Sequence, residues 1–267
     1  MAPRLLQKIV DQKKKEVESL YTSTGIGFFR HQAEKATDPR RSLFSALART
    51  GLSLIAEIKK ASPSRGVLRT DFDPIKLAES FQAAGADALS ILTDEPFFQG
   101  DIAFMEAIRP RVTLPILRKD FIIDPIQVYR SKAHGADAIL LIQAILPAEL
   151  SQHLLTLATQ LGLDVLLEVH NERELETALS MSGLAIVGIN NRDLDTFEVD
   201  TNNALLLARK LRQRTPALIK VVAESGYFQP DELDVLESSG IDGVLIGEGL
   251  AKNPDLIRYF SKKKAIL

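Results

Sequence analysis

From residue 52 onward the chain alternates short aliphatic runs with amphipathic helical stretches, and that rhythm limits the folds open to it. The runs occupy residues 54–59, 88–93, 115–119, 138–142, 165–169, 186–190, 220–224 and 244–247. Strands that alternate with helices over short links are parallel and joined by right-handed crossovers. A repeated punctuation reinforces the pattern. Ala-Gly-Ala-Asp-Ala at 84–88 precedes the second run and His-Gly-Ala-Asp-Ala at 134–138 the fourth. Ser-Gly-Leu-Ala at 182–185 precedes the sixth, and Ser-Gly-Ile-Asp-Gly at 239–243 the eighth. In each, glycine falls just past a helix, where a left-handed cap is required, and a strand follows. A unit of this kind recurring at about fifty-residue spacing is a β/α repeat. Eight strands close into a (β/α)8 barrel. An open doubly wound sheet is the alternative, weakened because no Gly-x-Gly-x-x-Gly follows the first run.

The first fifty residues lack this rhythm. Leu5, Leu6, Ile9, Val10 and Val17 recur at near-helical spacing among charges, followed by Phe28-Phe29 and then by Leu43, Phe44 and Leu47. Two or three helices are expected, with too little apolar surface to stand alone, so they should pack on the barrel. The 267 residues are expected to form one domain, with residues 1–50 as a helical extension and 51–267 as the barrel. After the last run only one helix is expected, and no fused second domain.

Composition narrows the function. With 33 basic and 35 acidic residues, net charge −2, nothing draws the chain globally to nucleic acid or an acidic membrane. There is no cysteine, hence no disulfide framework, thiolate zinc site or cysteine nucleophile. No apolar run suits a signal peptide or a bilayer span. A soluble cytoplasmic protein is expected.

Buried parallel strands should be apolar throughout, yet several runs end in ionisable or amide groups: Glu57 and Lys59, Lys119, Glu168, Asn190 and Glu224. Strand C-terminal ends form the catalytic face of such barrels. Alternation puts Glu57 with Lys59, and Lys119 with Phe121, on one strand face. Taken singly, any of these could be a solvated loop charge or a structural ion pair. Ser225-Gly226 and Gly247-Glu248-Gly249 follow the seventh and eighth runs, where barrels often bind phosphate, although each alone reads as an ordinary turn. The polar, proline-stiffened loop at 60–66 suits either a site-building loop or a plain surface loop. Phe97 and Phe98 could stack on a planar substrate or cap the core. The histidines His31, His134, His153 and His170 show no metal spacing. His134 and His153 read as helical surface or packing residues, and His170 as a loop residue rather than a catalytic one.

These segments carry a family resemblance. Ile-Ala-Glu-Ile-Lys-Lys-Ala-Ser-Pro-Ser at 55–64 resembles the signature of the indole-3-glycerol-phosphate synthases. So do Ser-Ile-Leu-Thr-Asp at 90–94 with Phe-Phe-Gln-Gly at 97–100, and Leu-Arg-Lys-Asp-Phe-Ile at 117–122. Leu-Glu-Val-His at 167–170, Gly-Ile-Asn-Asn-Arg-Asp-Leu at 188–194 and Ala-Glu-Ser-Gly at 223–226 match as well. The resemblance runs from about residue 5 to the end. It implies a TIM barrel whose N-terminal helices cover the mouth, and a lyase of tryptophan biosynthesis. That enzyme closes the ring of 1-(2-carboxyphenylamino)-1-deoxyribulose 5-phosphate, releasing carbon dioxide and water, without cofactor or metal. It further implies Lys119 as general acid, Glu168 and Asn190 in proton transfer and orientation, and Lys59 on the substrate carboxylate. Lys59 would also act with Glu57 in dehydration, and Lys60 would face outward. Ser62, Phe98, Phe121, Arg192, Leu194 and Glu224 would bind substrate, and Ser225, Gly226, Gly247 and Glu248 the phosphate. The carboxylate of Glu248 would have to point away from that phosphate. The family is often monomeric, and the partner implied is a small phosphorylated molecule. Crowded lysines in a partly dry mouth are expected to have lowered pKa values.

Three departures stand out. Asp193 lies where many members carry asparagine, Tyr227 where isoleucine is common, and Glu248 where some carry serine. The rival readings are a phosphoribosylanthranilate isomerase, whose usual catalytic cysteine this chain lacks, a lysine Schiff-base aldolase, and an inactive barrel serving as a scaffold.

Overall fold

A computed structural model describes residues 4–36, 39–63, 65–193, 196, 198–215 and 219–264. Eight parallel strands close into a barrel in chain order. They are β1 (Ser53–Ile58), β2 (Ala88–Leu92), β3 (Ile116–Lys119), β4 (Ala138–Ile142), β5 (Asp164–Val169), β6 (Ile186–Asn190), β7 (Lys220–Glu224) and β8 (Gly243–Ile246). Each coincides with a predicted run to within one residue at either end. Within the loop after β1, Ala61–Ser62 pairs antiparallel with Gly66–Val67.

The sequence punctuation has a double purpose. Gly85, Gly135, Gly183 and Gly240 all have positive φ, between 75° and 93°, as the left-handed cap requires. In three of the four units the aspartate two residues later turns back to the preceding strand. Asp87 accepts a hydrogen bond from the Leu54 N–H (3.0 Å), Asp137 from the Ile116 N–H (2.9 Å) and Asp242 from the Val221 N–H (2.8 Å). These backbone donors at the closed end of the barrel would otherwise lack a partner in a buried setting. Arginines hold the carboxylates in place: Arg49 on Asp87, Arg109 on Asp137 and Arg212 on Asp242.

Strand alternation sorts the core into two layers. Leu54, Ala56, Ile58, Leu89, Ile91, Val187, Ile189, Val221 and Ala223 pack outward against the helices. Ile55, Ala88, Leu117, Ala138, Leu140, Ile142, Leu166, Ile186, Val222 and Leu245 fill the interior. The N-terminal extension divides between the two ends. Helix α1 (Arg4–Ser23) brings Leu5, Leu6 and Ile9 to the cavity at the mouth, and α2 (Ile26–Lys35) rests Phe29 against His134. Helix α3 (Leu43–Leu47) plugs the opposite end with Leu43 and Leu47. Among the described residues no helix is long and apolar enough to cross a membrane.

Candidate active site

The interior face does not stay apolar along its length. Two residues beyond Ile55, Leu117, Leu166 and Val222 on the same faces stand Glu57, Lys119, Glu168 and Glu224, and all four line one cavity at the strand C-terminal ends. The site is therefore the upper continuation of the barrel core, which explains why its charges are so dry. Every predicted site residue that is described lines this cavity: Glu57, Lys59, Ser62, Phe98, Lys119, Phe121, Glu168, Asn190, Arg192, Glu224, Ser225, Gly226, Gly247 and Glu248. Leu194, and Ser64 of the first motif, lie outside the described residues.

Lys119 occupies the centre. Its Nζ donates to Glu168 Oε2 at 2.8 Å and to Glu224 Oε2 at 2.7 Å. At the end of β1, Lys59 Nζ lies 2.5 Å from Glu57 Oε1. The expectation of a lowered lysine pKa fails at Lys119. Burial alone would lower it, but Glu168, Glu224 and Glu57 outweigh burial and hold the ammonium well above the usual lysine range. The two carboxylates are driven apart. Burial pushes Glu168 up, but Lys119 and His170 outweigh it and keep the group well below the usual carboxylate range. Glu224, raised by burial and by the Glu168 charge and only partly relieved by Lys119, is pushed up to about 7.

Space for Glu224 and Glu57 comes from glycines on, or just past, the neighbouring strands. A Cβ on Gly188 would lie 2.2 Å from Glu224 Oε1, and one on Gly247 would lie 2.2 Å from Glu57 Oε1. Phe98 and Phe121 form a tilted pair at the mouth, with ring centroids 6.0 Å apart. The turn after β7 is sharply bent, with Ser225 at φ 69° and Gly226 at φ 95°. Ser225 is one of two non-glycine residues with positive φ among those described, a strained conformation that tends to sit at functional sites. The Glu248 carboxylate is held by Lys252 (2.6 Å), Arg65 (3.3 Å) and Arg192 (3.6 Å). Burial raises its pKa, but these cations hold it below the ordinary value.

Three contributors were not legible as such. Asn191 is buried behind the Ser225 turn, donating to Ser225 O (2.9 Å) and Tyr227 Oη (2.8 Å) while its Oδ1 accepts the Ala204 N–H. His170, in the loop after β5, puts Nε2 3.1 Å from Glu168 Oε1. Lys13 of α1 is buried, 2.9 Å from both Asp94 and Asp120, the residues that lead into Phe98 and follow Lys119. A signal for Lys13 existed: it shares the helical stripe of Leu6 and Ile9, whereas Lys14 and Lys15 are exposed.

Comparison with known proteins agrees with this geometry. The family model described as indole-3-glycerol phosphate synthase matches residues 6–262. Proteins named indole-3-glycerol phosphate synthase resemble the chain along nearly its whole length. That of Rippkaea orientalis is 45% identical over 255 residues, covering 94% of this chain and 86% of its own. That of Chloroherpeton thalassium is 44% identical over 258 residues, covering 95% and 97%. That of Chlorobium phaeovibrioides is 43% identical over 255 residues, covering 95% and 96%. With a lysine between two carboxylates at the mouth of a closed eight-stranded barrel, and likeness of this extent, the chain belongs to the indole-3-glycerol phosphate synthase family.

Proposed function

We propose that the chain closes the indole ring of 1-(2-carboxyphenylamino)-1-deoxyribulose 5-phosphate, with loss of carbon dioxide and water. The observation that carries this reading is Lys119 clamped between Glu168 and Glu224, in one cavity with the Lys59–Glu57 pair. Attack of the carboxylate-bearing ring carbon on the carbonyl forms the carbon–carbon bond and leaves an oxyanion that must be protonated. Lys119, kept as an ammonium by its two carboxylates, is the donor. Departure of carbon dioxide returns its bonding electrons to the ring. Loss of the hydroxyl then needs one acid and one base, and Lys59 with Glu57 supplies both within a single ion pair. Glu168 and Asn190 orient the substrate and support proton transfer.

The remaining contacts follow the substrate's shape. Phe98 and Phe121 flank the aromatic ring, with Leu194 beside it. Ser62 and Lys59 meet the substrate carboxylate, and Arg192 and Glu224 complete the wall. The phosphate is held by the backbone at Ser225, Gly226, Gly247 and Glu248. The Glu248 side chain faces its three cations, so its amide rather than its carboxylate serves the anion. A monomer acting in the cytoplasm completes the reading, and light scattering on a sizing column tests the oligomeric part.

The high pKa of Lys119 argues against the Schiff-base alternative, because imine formation requires a neutral amine. The test is to supply the carboxyphenylamino-deoxyribulose phosphate in chelator and follow indole fluorescence. Signal is expected from the wild type, and a loss of about 10²–10⁴-fold from Lys119→Ala, the range for removing a general acid. Folded wild-type protein that gives no fluorescence overturns the activity. Near-normal turnover by the variant overturns the role of Lys119.

A further inference from the structure

Glu168 and Glu224 share one lysine, but their surroundings differ. Glu168 has a nitrogen beside each oxygen: Lys119 Nζ is hydrogen-bonded to Oε2, and His170 Nε2 lies 3.1 Å from Oε1, at ion-pair distance without hydrogen-bond geometry. Glu224 has Lys119 at Oε2, while its Oε1 is buried without a hydrogen-bond partner. The imidazole that makes the difference is itself fixed. Glu174 Oε2 takes both His170 Nδ1 (3.0 Å) and the His170 backbone N–H (2.8 Å), and Asn171 donates to Glu174 Oε1 (2.7 Å). On the remaining side, Asn203 of the helix Asn202–Arg214 donates to the His170 carbonyl (3.1 Å) and to that of Asn190 (3.2 Å). The charged groups facing the ring are thus Glu168 from β5 and Glu174 from the helix Glu172–Leu179, with Lys119 of β3 behind Glu168 and Glu224 of β7 behind Lys119.

We propose that His170, gripped by Glu174, is a positioning residue that holds Glu168 as a fixed anion and so confines the exchangeable carboxyl proton of the site to Glu224. Two carboxylates this close to one ammonium leave an excess negative charge in a dry site, and a proton relieves it. The proton goes to the oxygen with the fewest donors, Glu224 Oε1. Without a cation at Glu168 Oε1 the two carboxyls become near equivalents and the proton spreads over both. The pair as a whole then binds that proton more tightly, because a nearby positive charge has gone. The titration directions agree. Burial would lower His170, but Glu168 and Glu174 raise it to about 10, so the imidazolium persists across the range in which Glu224 titrates near 7. The kinetic consequence rests on the synthase reading, while the protonation pattern does not.

The test uses the full chain with 13C-labelled glutamate carboxyls, in wild type, His170→Asn and Glu174→Gln, each checked for folding by circular dichroism. In wild type, one of the two site carboxyls, assigned through Glu224→Gln, titrates near neutrality while the other stays ionised. In His170→Asn both titrate, and the acid limb of kcat/KM moves up by about one unit or more, the shift expected when an opposite charge within 4–6 Å is removed. Glu174→Gln keeps an acceptor for Nδ1 but removes the charge, and gives the same displacement at smaller size. If His170→Asn does not fold, Glu174→Gln carries the measurement. A folded variant in which Glu224 still titrates alone, with the acid limb unmoved, overturns the proposal. Wild-type protein without turnover but with the asymmetric titration would sink the synthase reading and leave this one standing.

Discussion

Replacing Lys13 by methionine removes one cation from a buried cluster and keeps most of the stem's volume. The side chains of Lys13, Asp94 and Asp120 are 2%, 0% and 1% exposed. Asp120 would keep Arg118 (2.8 Å), the Thr93 hydroxyl (2.6 Å) and the Phe121 N–H (2.8 Å). Asp94 would keep the Phe97 N–H (2.9 Å) on one oxygen and lose the ammonium on the other. Breaking a buried ion pair from one side costs about 3–5 kcal/mol, because a charge is left uncompensated. For a chain of this size that corresponds to a fall in Tm of roughly 6–20 °C. The sign of the pH dependence follows from Asp94. Burial already raises its pKa against the opposing pull of Lys13, and loss of Lys13 raises it further. A carboxyl raised in the folded state has its penalty in full above that folded pKa and none below the unfolded value. The deficit of Lys13→Met should therefore shrink on going from pH 8 to pH 5. Lys14→Met, at an exposed neighbour, serves as the control and should stay within about 0.5 kcal/mol of wild type. Asp94→Asn in the Lys13→Met background should recover part of the loss. Because α1 also presents Leu5, Leu6 and Ile9 to the cavity, KM should rise even where the barrel stays folded. Urea and thermal unfolding at the two pH values decide the matter. A Lys13→Met protein as stable as Lys14→Met at pH 8 refutes the reasoning.

Three further outcomes are expected. Gly188→Ala must displace the Glu224 carboxylate, since its Cβ would lie 2.2 Å from Oε1; kcat should fall about 10²-fold, as for a misplacement near 1 Å, and unchanged steady-state kinetics would contradict the packing argument. Asn191→Ala strips the Ser225 turn of its donor and should cost about 1–3 kcal/mol by denaturant titration while raising KM for the phosphorylated substrate. Burial raises Asp120, but Arg118 and Lys13 outweigh it and hold its folded pKa below the ordinary 3.8, so its stabilisation is present above that value and lost as pH falls below it; Asp120→Asn should accordingly be most harmful near neutrality and least in acid.

The barrel was legible because its signals are local. A glycine cap lies within five residues of the apolar run that follows it in four of the eight cases, with an aspartate between them in three, and the eight alternating runs set strand order and parity. Much of the site followed from the same parity, since Glu57 and Lys59, or Lys119 and Phe121, share a face by chain geometry alone. Lys13 was passed over because its partners Asp94 and Asp120 come from distant parts of the chain, and the contact that His170 makes from its loop was not anticipated. The i, i+2 spacing in Leu-Glu-Val-His allows the imidazole to meet Glu168, but does not show that Glu174, a turn later, grips its other side. The raised Lys119 pKa was missed for a related reason. Burial was foreseeable, but the convergence of Glu168 from β5 and Glu224 from β7 on one ammonium is a property of closure.

Closure also explains an apparent contradiction in composition, glycines in a barrel otherwise filled by branched side chains. At the level of Ile55, Leu117, Leu166 and Val222, all from odd-numbered strands, the interior is packed by apolar groups. One layer higher the same faces carry Glu57, Lys119, Glu168 and Glu224, each larger than the space a full ring of side chains would leave. Gly188 on β6 and Gly247 just past β8 stand beside Glu224 and Glu57, the two carboxylates their Cβ atoms would strike. Each glycine is thus the vacancy that lets a neighbouring strand place an acid inside. Beside Gly188, Glu224 Oε1 is buried without a hydrogen-bond partner. A buried carboxyl oxygen with no donor favours the protonated form, so the backbone choice at residue 188 feeds directly into the acid–base behaviour of residue 224. Substituting that glycine should consequently alter the pH profile as well as the rate.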